Sequence, residues 1–302
     1  MLTDVFVTRQ PSPSDVMNAV NNNIQIIGQY RCELGETPVW CPDSQSLLWV
    51  DILQQRLLRY WPKQNDHVEV HSMPDATSAV LLTNQPEVFL VVSRCGIQIY
   101  DYQHFHFTLL HAWPEERTRP NEAAIAPDGA LWFSTMEPNA QYAIGSWYRL
   151  SPETKTLQCL LTEQWVPNTL VWTDDGLWFA DSLRHVIYHG IFNGDALTIN
   201  RRYPVCGIPD GSALTSENQL INARWGESCL IRYQLTGHEL HQREQISLPV
   251  RQPSSCAFGG AMLSDLYITS ARNGLAAPNA ADGALLKIPT RLTGNPANKF
   301  RL

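Results

Sequence analysis

The chain is short of charge, and shorter still of positive charge. Of its 302 residues, 22 are Lys or Arg against 29 Asp or Glu, a formal net charge of -7. No basic stripe gathers along it, which argues against the counterion-displacing surface that nucleic acid demands. The seven cysteines, at 32, 41, 95, 159, 206, 229 and 256, are odd in number, scattered and without a CxxC pair. That pattern disfavours a disulfide framework or a zinc knuckle, and free thiols in a reducing compartment are expected. No apolar run approaches a bilayer span, and MLTDVFVTRQPSPSDV lacks the basic and apolar regions of a secretory signal. The expectation is a soluble cytoplasmic protein, a monomer or small homo-oligomer, with no nucleic-acid or membrane partner. Also missing are a GxSxG elbow, an HExxH helix, a glycine-rich phosphate loop and an EF-hand pattern. His104-Phe105-His106 reads as one face of an outer strand, and HELH at 238–241 has no further ligands at zinc-finger spacing.

What is present points to a large core, with 44% hydrophobic residues and ten tryptophans. Helical periodicity is hard to find. Instead SQSLLWVDILQQRLLRY, QPEVFLVVSRCGIQIY, PDGALWFSTM, TDDGLWFADSLRHVIY, ENQLINARWGESCLIRY and LSDLYITSARNG repeat one outline. Each has a polar turn, a short apolar strand, small or polar residues and often a second strand. Centred on Trp49, Leu90, Trp132, Trp178, Ile221 and Tyr267, they are spaced by 41, 42, 46, 43 and 46 residues. That period is the length of a four-stranded propeller blade. The fold expected is all-β, a six-bladed β-propeller with a central metal site. Residues 1–23 read as an N-terminal extension and residues 24–302 as one propeller domain. NIQIIGQYRC is strand-like and suited to pair with the last blade and close the ring.

Four segments that lead into the innermost strands carry polar residues a core strand does not need: Gly35-Glu36-Thr37-Pro38, Arg119-Pro120-Asn121-Glu122, Pro167-Asn168-Thr169 and Pro209-Asp210-Gly211. Glu36 lies 13 residues before its repeat centre, Arg119 and Asn121 lie 13 and 11 before theirs, Asn168 10 and Asp210 11. Taken singly, Asp210-Gly211 is a turn signal, Asn168 an Asx-turn and Arg119 with Glu122 a surface pair. Their shared register across blades sets them apart, because equivalent positions in a propeller converge on the axis. Two carboxylates and a carboxamide suit a hard divalent cation with positions left open for water and substrate. Oxygen ligation alone admits Ca²⁺, Mn²⁺, Mg²⁺, Zn²⁺ or Fe²⁺.

LGETPVWCPDSQSLLWVDI resembles the opening blade of the regucalcin and gluconolactonase family, also called the senescence marker protein family. RPNEAAIAPDGALWFSTM, VPNTLVWTDDGLWFADS, IPDGSAL and SSCAFGGAMLSDLYITSAR resemble its later blades in the same order, over roughly residues 25–285. WGESCLIRY and ITSARNGL look closest to bacterial arabinonolactonase-like members. The resemblance implies a six-bladed propeller that hydrolyses sugar lactones with one divalent metal ion. It places the metal ligands on Glu36, Asn168 and Asp210, and substrate contacts on Arg119 and Asn121. Glu122 joins them as a polar substrate contact, and Glu137 resembles a family glutamate near the sugar hydroxyls. The chain departs from the family's usual Asn-Asp-Gly at Asn121-Glu122-Ala123, and from Pro-Asn-Gly at Pro167-Asn168-Thr169. Asp210 is the expected general base toward a metal-activated water. Two rivals share the scaffold: a non-catalytic propeller that binds calcium or a partner, and a phosphotriesterase or other ester hydrolase using the same metal centre.

Overall fold

The computed structural model describes residues 23–64 and 66–302. All but the last residue of the extension read over residues 1–23 lies outside the described residues. Short β-rich segments separated by polar turns form six antiparallel sheets of four strands each. A three-residue strand, β1 (Gln25–Ile27), comes first. Blade 1 follows with β2 (Gly35–Cys41), β3 (Ser46–Asp51), β4 (Arg56–Trp61) and β5 (His67–Ser72), and blade 2 with β6 (Ala79–Leu82), β7 (Val88–Ser93), β8 (Gly96–Asp101) and β9 (His106–His111). Blade 3 has β10 (Arg119–Ile125), β11 (Leu131–Met136), β12 (Gly145–Leu150) and β13 (Leu157–Gln164), and blade 4 has β14 (Pro167–Thr173), β15 (Gly176–Asp181), β16 (Val186–Phe192) and β17 (Leu197–Pro204). Blade 5 comprises β18 (Ile208–Leu214), β19 (Gln219–Trp225), β20 (Cys229–Thr236) and β21 (Glu239–Ser247). Blade 6 has β22 (Pro253–Gly259), β23 (Asp265–Ser270) and β24 (Leu285–Pro289), and β1 completes it by pairing Gln25 with Lys287 and Ile27 with Leu285. The ring is therefore closed by an early strand on the last blade, as the strand-like NIQIIGQYRC leads one to expect.

All six repeat centres fall on the second strand of their blade. The side-chain alternation of those strands explains why the blades stack. In β15, Leu177 and Phe179 enter the hydrophobic cluster shared with blade 3, while Trp178 and Ala180 enter the one shared with blade 5. Each of the six blade interfaces has its own apolar cluster built this way. A strand buried on both faces has no solvent side, so these strands read as continuous apolar runs. The innermost strands β2, β6, β10, β14, β18 and β22 contact one another in sequence around the axis.

The C-terminal segment crosses the far end of that ring. Thr215 bridges Gly294, the Asn298 side chain donates to Ile125 O at 2.9 Å, and Thr83 bridges Phe300, whose ring is fully buried between blades 2 and 3. Beneath it lies a cavity of about 350 Å³ lined by inner-strand residues, among them Thr37, Glu122, Ser212 and Ser255, and floored by Asn295 to Asn298. The axial channel is thus stopped at the end where the inner strands finish. All seven cysteines are free. Among the described residues, no helix is long and apolar enough to cross a membrane.

Candidate active site

The polar residues picked out by register stand within the inner strands themselves rather than in loops before them. The reason is a repeated irregularity in pairing. Between inner and second strands, register shifts at Glu36/Val39, Pro120/Ala123, Asn168/Leu170, Pro209/Ser212 and Pro253/Ser255, in every blade except the second. Each is a bulge, which inserts residues without a partner and re-aims a side chain that strict alternation would send into a blade interface. Glu36, Asn121, Asn168 and Asp210 all sit at or beside such a bulge and are buried. Blade 2, whose inner strand is four residues long and regular, contributes no such residue.

Two bulges hold a threonine in the left-handed region, Thr37 at φ 47° and Thr169 at φ 52°. A β-branched residue there is strained by roughly 1–2 kcal/mol. Both threonines use their hydroxyls to cross to the next blade. Thr37 Oγ1 donates to Ser78 O at 2.8 Å and Thr169 Oγ1 to Asp210 O at 2.5 Å. Further staples complete much of the circle. Asn121 Nδ2 donates to Pro167 O at 2.9 Å, Ser182 Oγ donates to Pro209 O at 2.6 Å, and Ser254 Oγ donates to Gly35 O.

The two carboxamides are mutually oriented. Asn121 Nδ2 donates to Asn168 Oδ1 at 3.1 Å, and Asn168 Nδ2 donates to Ser182 Oγ at 2.8 Å. Arg119 is drawn into the same group, since its Nη1 donates to Asn121 Oδ1 at 3.1 Å and to Pro120 O at 2.8 Å. Glu36 Oε2 accepts from Thr37 N at 3.3 Å, Glu122 Oε1 from Ala123 N at 3.1 Å and Asp210 Oδ1 from Gly211 N at 3.1 Å. Each carboxylate is held by the amide of the residue after it, and Glu122 is reached by the Thr169 amide as well.

These carboxylates lie within reach of one another's charge. Burial, reinforced by Glu36 and Glu122, pushes the Asp210 carboxyl well above the usual carboxylate range. Burial and the Glu122 charge likewise raise Glu36. Burial raises Glu122 to about 7. Burial lowers the Arg119 guanidinium to about 10 against the opposing pull of Glu36, Asp210 and Glu137. Desolvated like charges that repel one another are costly unless a cation joins them.

The donor set, two carboxylates and a carboxamide oxygen, has the chemistry of a site for a hard divalent ion. Among the described residues no trio of His, Cys, Asp or Glu forms a metal cluster. Glu36, Asn168 and Asp210 contain only two such residues, the third donor being an amide. Glu122 also lines the cavity below the bulges. Glu137 stands just past β11, and its Oε2 caps its own turn, accepting from Asn139 N at 3.0 Å and Gln141 N at 2.8 Å.

Register alone did not single out Thr169, Ser182 or Asn222. Asn222 is fully buried in β19 and its Nδ2 donates to Asp210 O at 2.8 Å and Thr169 Oγ1 at 3.0 Å. The readable signal is a polar side chain inside the apolar run LINA.

Fold and site together define a six-bladed β-propeller with an oxygen-rich, acidic site at one end of its axis. The chain belongs to the SMP-30/Gluconolactonase/LRE-like family, whose pattern it matches over residues 34–272. It is 30% identical to an L-arabinolactonase from Azospirillum brasilense, over 91% of this chain and 94% of that one. It is 29% identical to a pentonolactonase from Haloferax volcanii, over 88% of this chain and 94% of that one. A solved structure of a calcium-binding regucalcin from Agrobacterium tumefaciens superposes with a TM-score of 0.83 at 25% identity, covering 92% of this chain and 97% of that one.

Proposed function

We propose that this protein is a metal-dependent sugar lactonase that opens an aldonolactone to its aldonic acid. One observation carries the reading: Glu36 and Asp210, both buried at bulges of inner strands, lie within reach of each other's charge and of Arg119, which is tied through Asn121 to Asn168. The names of the relatives, an L-arabinolactonase and a pentonolactonase, support a sugar lactone as substrate.

A divalent cation held by Glu36, Asn168 and Asp210 would polarise the lactone carbonyl and acidify a water. The protein's own groups do the rest. Asp210 accepts a proton from the attacking water and returns it to the ring oxygen as the acyl–oxygen bond breaks. Arg119 offers its guanidinium to the negative charge growing on the carbonyl oxygen. Asn121, tied to both Arg119 and Asn168, fixes the distance between the substrate-facing and cation-facing halves of the site. Glu122 and Glu137 add acceptors for sugar hydroxyls. The ion is drawn from Ca²⁺, Zn²⁺, Mn²⁺, Mg²⁺ and Fe²⁺.

The test is a pH-indicator hydrolysis assay of chelator-stripped protein against a panel of aldonolactones, with each metal added back separately. Acid release restored by metal is expected. Folded, metal-loaded protein that turns over no lactone would move the assignment to a calcium-binding scaffold or an ester hydrolase of other substrates.

A further inference from the structure

The geometry points to Thr169 as a positioning residue that sets Asp210, acting across the interface between blades 4 and 5 without touching substrate. The inference rests on the reading of Asn168 and Asp210 as ligands of one cation.

Thr169 directly follows Asn168 and is fully buried at the bulge of β14. Its Oγ1 donates to Asp210 O at 2.5 Å, lies 2.9 Å from Ser212 Oγ, and accepts from Asn222 Nδ2 at 3.0 Å. Asn222 Nδ2 in turn donates to Asp210 O at 2.8 Å and reaches Ser212 Oγ at 2.9 Å. The peptide of Asp210 is thereby held from its own blade by Asn222 and from the neighbouring blade by Thr169. Ser182 holds the preceding carbonyl, Pro209 O, while accepting from Asn168 Nδ2. Thr169 and Ser182 of blade 4 thus hold two consecutive carbonyls, those of Asp210 and Pro209, on the ligand-bearing segment of blade 5.

The backbone of Thr169 is a second, independent sign. At φ 52° glycine would be at ease and threonine is not. A strained residue persists where its side chain makes contacts that hold it there. Thr37 supplies an internal parallel. It too follows a proposed ligand, Glu36, stands at φ 47°, is buried, and donates its hydroxyl to the next inner segment at Ser78 O. Asp210 itself is followed by Gly211, which has no hydroxyl to offer, so the Asp210 segment is the receiver of such a link on its blade 4 side.

This arrangement separates stability from function. Thr169→Gly removes the hydroxyl and relieves the backbone, so the variant is expected to fold and melt close to the parent while Asp210 loses its lateral tether. Mn²⁺ is the probe, with binding to chelator-stripped protein followed through loss of the free-ion electron paramagnetic resonance signal. Thr169→Gly is expected to weaken Mn²⁺ binding by about tenfold or more, the range seen when an outer-shell partner is lost. A lower kcat with little change in KM is expected alongside it. Thr169→Ser, which keeps the hydroxyl and sheds the branch, is expected to restore binding and kcat to within about threefold of the parent. Thr169→Gly binding Mn²⁺ as tightly as the parent would overturn the inference, as would Thr169→Ser behaving like Thr169→Gly. A parent protein that takes up neither Mn²⁺ nor, by isothermal titration calorimetry, Ca²⁺, Zn²⁺, Mg²⁺ or Fe²⁺ would overturn the metal-site reading and this inference with it, and the parent's own titration tells the two failures apart.

Discussion

Asp210 is asked to be an anion in a place that opposes one. Burial and the neighbouring Glu36 and Glu122 all favour its neutral form, so a cation and a proton compete for the same carboxylate. Asp210→Asn keeps the shape and the oxygen that accepts from Gly211 N at 3.1 Å while removing charge and basicity. Its turnover is expected to fall by about 10²-fold or more, the scale of a lost general base. Its chelator-stripped form is expected to melt above the stripped parent at pH 8, because asparagine has neither a charge to bury nor a proton to take up on folding. Near-parental lactone turnover by Asp210→Asn would remove Asp210 from the base role. This pairing of lost activity with gained stability distinguishes a strained functional carboxylate from a structural one. At this scale the sequence was informative wherever a residue acts by its own position in the repeat. Glu36, Arg119, Asn121, Asn168 and Asp210 stand at comparable places in their blades, and Arg119, Asn121 and Asn168 are joined by hydrogen bonds. Thr169, Ser182 and Asn222 act through neighbours; Ser182 lies 27 residues from the Pro209 carbonyl it holds. No local pattern announces such a pair.

A strand is read from alternation, and bulges break alternation. The second strands were legible because Leu-Trp-Val, Leu-Trp-Phe and Leu-Tyr-Ile runs bury both faces, and every repeat centre lies on one. The inner strands were read as starting after their polar residues, because Asn168 after a proline or Asp210-Gly211 looks like a turn. The structure pairs the residues on either side of these insertions and leaves the inserted ones free to face the axis. Close packing at one bulge makes the point testable. A Cβ on Gly211 would stand 2.5 Å from Ser255 Cβ, nearer still to its Oγ, and 3.0 Å from Ser254 O. Gly211→Ala is expected to cost about 1–3 kcal/mol as an overpacked site, read as a lower Tm, with activity reduced further because Asp210 is its neighbour. Adding Ser255→Gly removes the two nearest clashes and is expected to recover most of the stability. A double variant no better than Gly211→Ala alone would show that the blade 5 to 6 contact is not what requires glycine there.

The whole ring is a set of six apolar interfaces around a polar axis, closed by β1 on blade 6 and braced by the C-terminal segment. The period of the repeat made the blade number legible, and the strand-like NIQIIGQYRC made the closure legible. The bracing was not, because TRLTGNPANKFRL has neither alternation nor blade outline, and Phe300 finds its pocket only once blades 2 and 3 are assembled. That rigid frame is what keeps several carboxylates together against their repulsion, and it gives stability a pH dependence of definite sign. Glu122 is raised by burial to about 7, and Glu36 and Asp210 are raised as well. In the unfolded chain such groups titrate near pH 4. Between about pH 4 and about pH 7 the metal-free folded state therefore binds more protons than the unfolded state, and its stability declines as pH rises. The contribution is fully present below the unfolded pKa and is lost as pH passes the raised folded values. Chelator-stripped protein is expected to lose several degrees of Tm between pH 5 and pH 8 from this source. Saturating divalent metal should flatten or reverse that slope, since a cation favours the ionised carboxylates and binds the folded state alone. Differential scanning calorimetry across that range, with chelator and with metal, reads both slopes. A stripped protein that grows more stable toward pH 8 would show that these carboxylates do not dominate its pH response and that the acidic cluster needs no cation to be at ease.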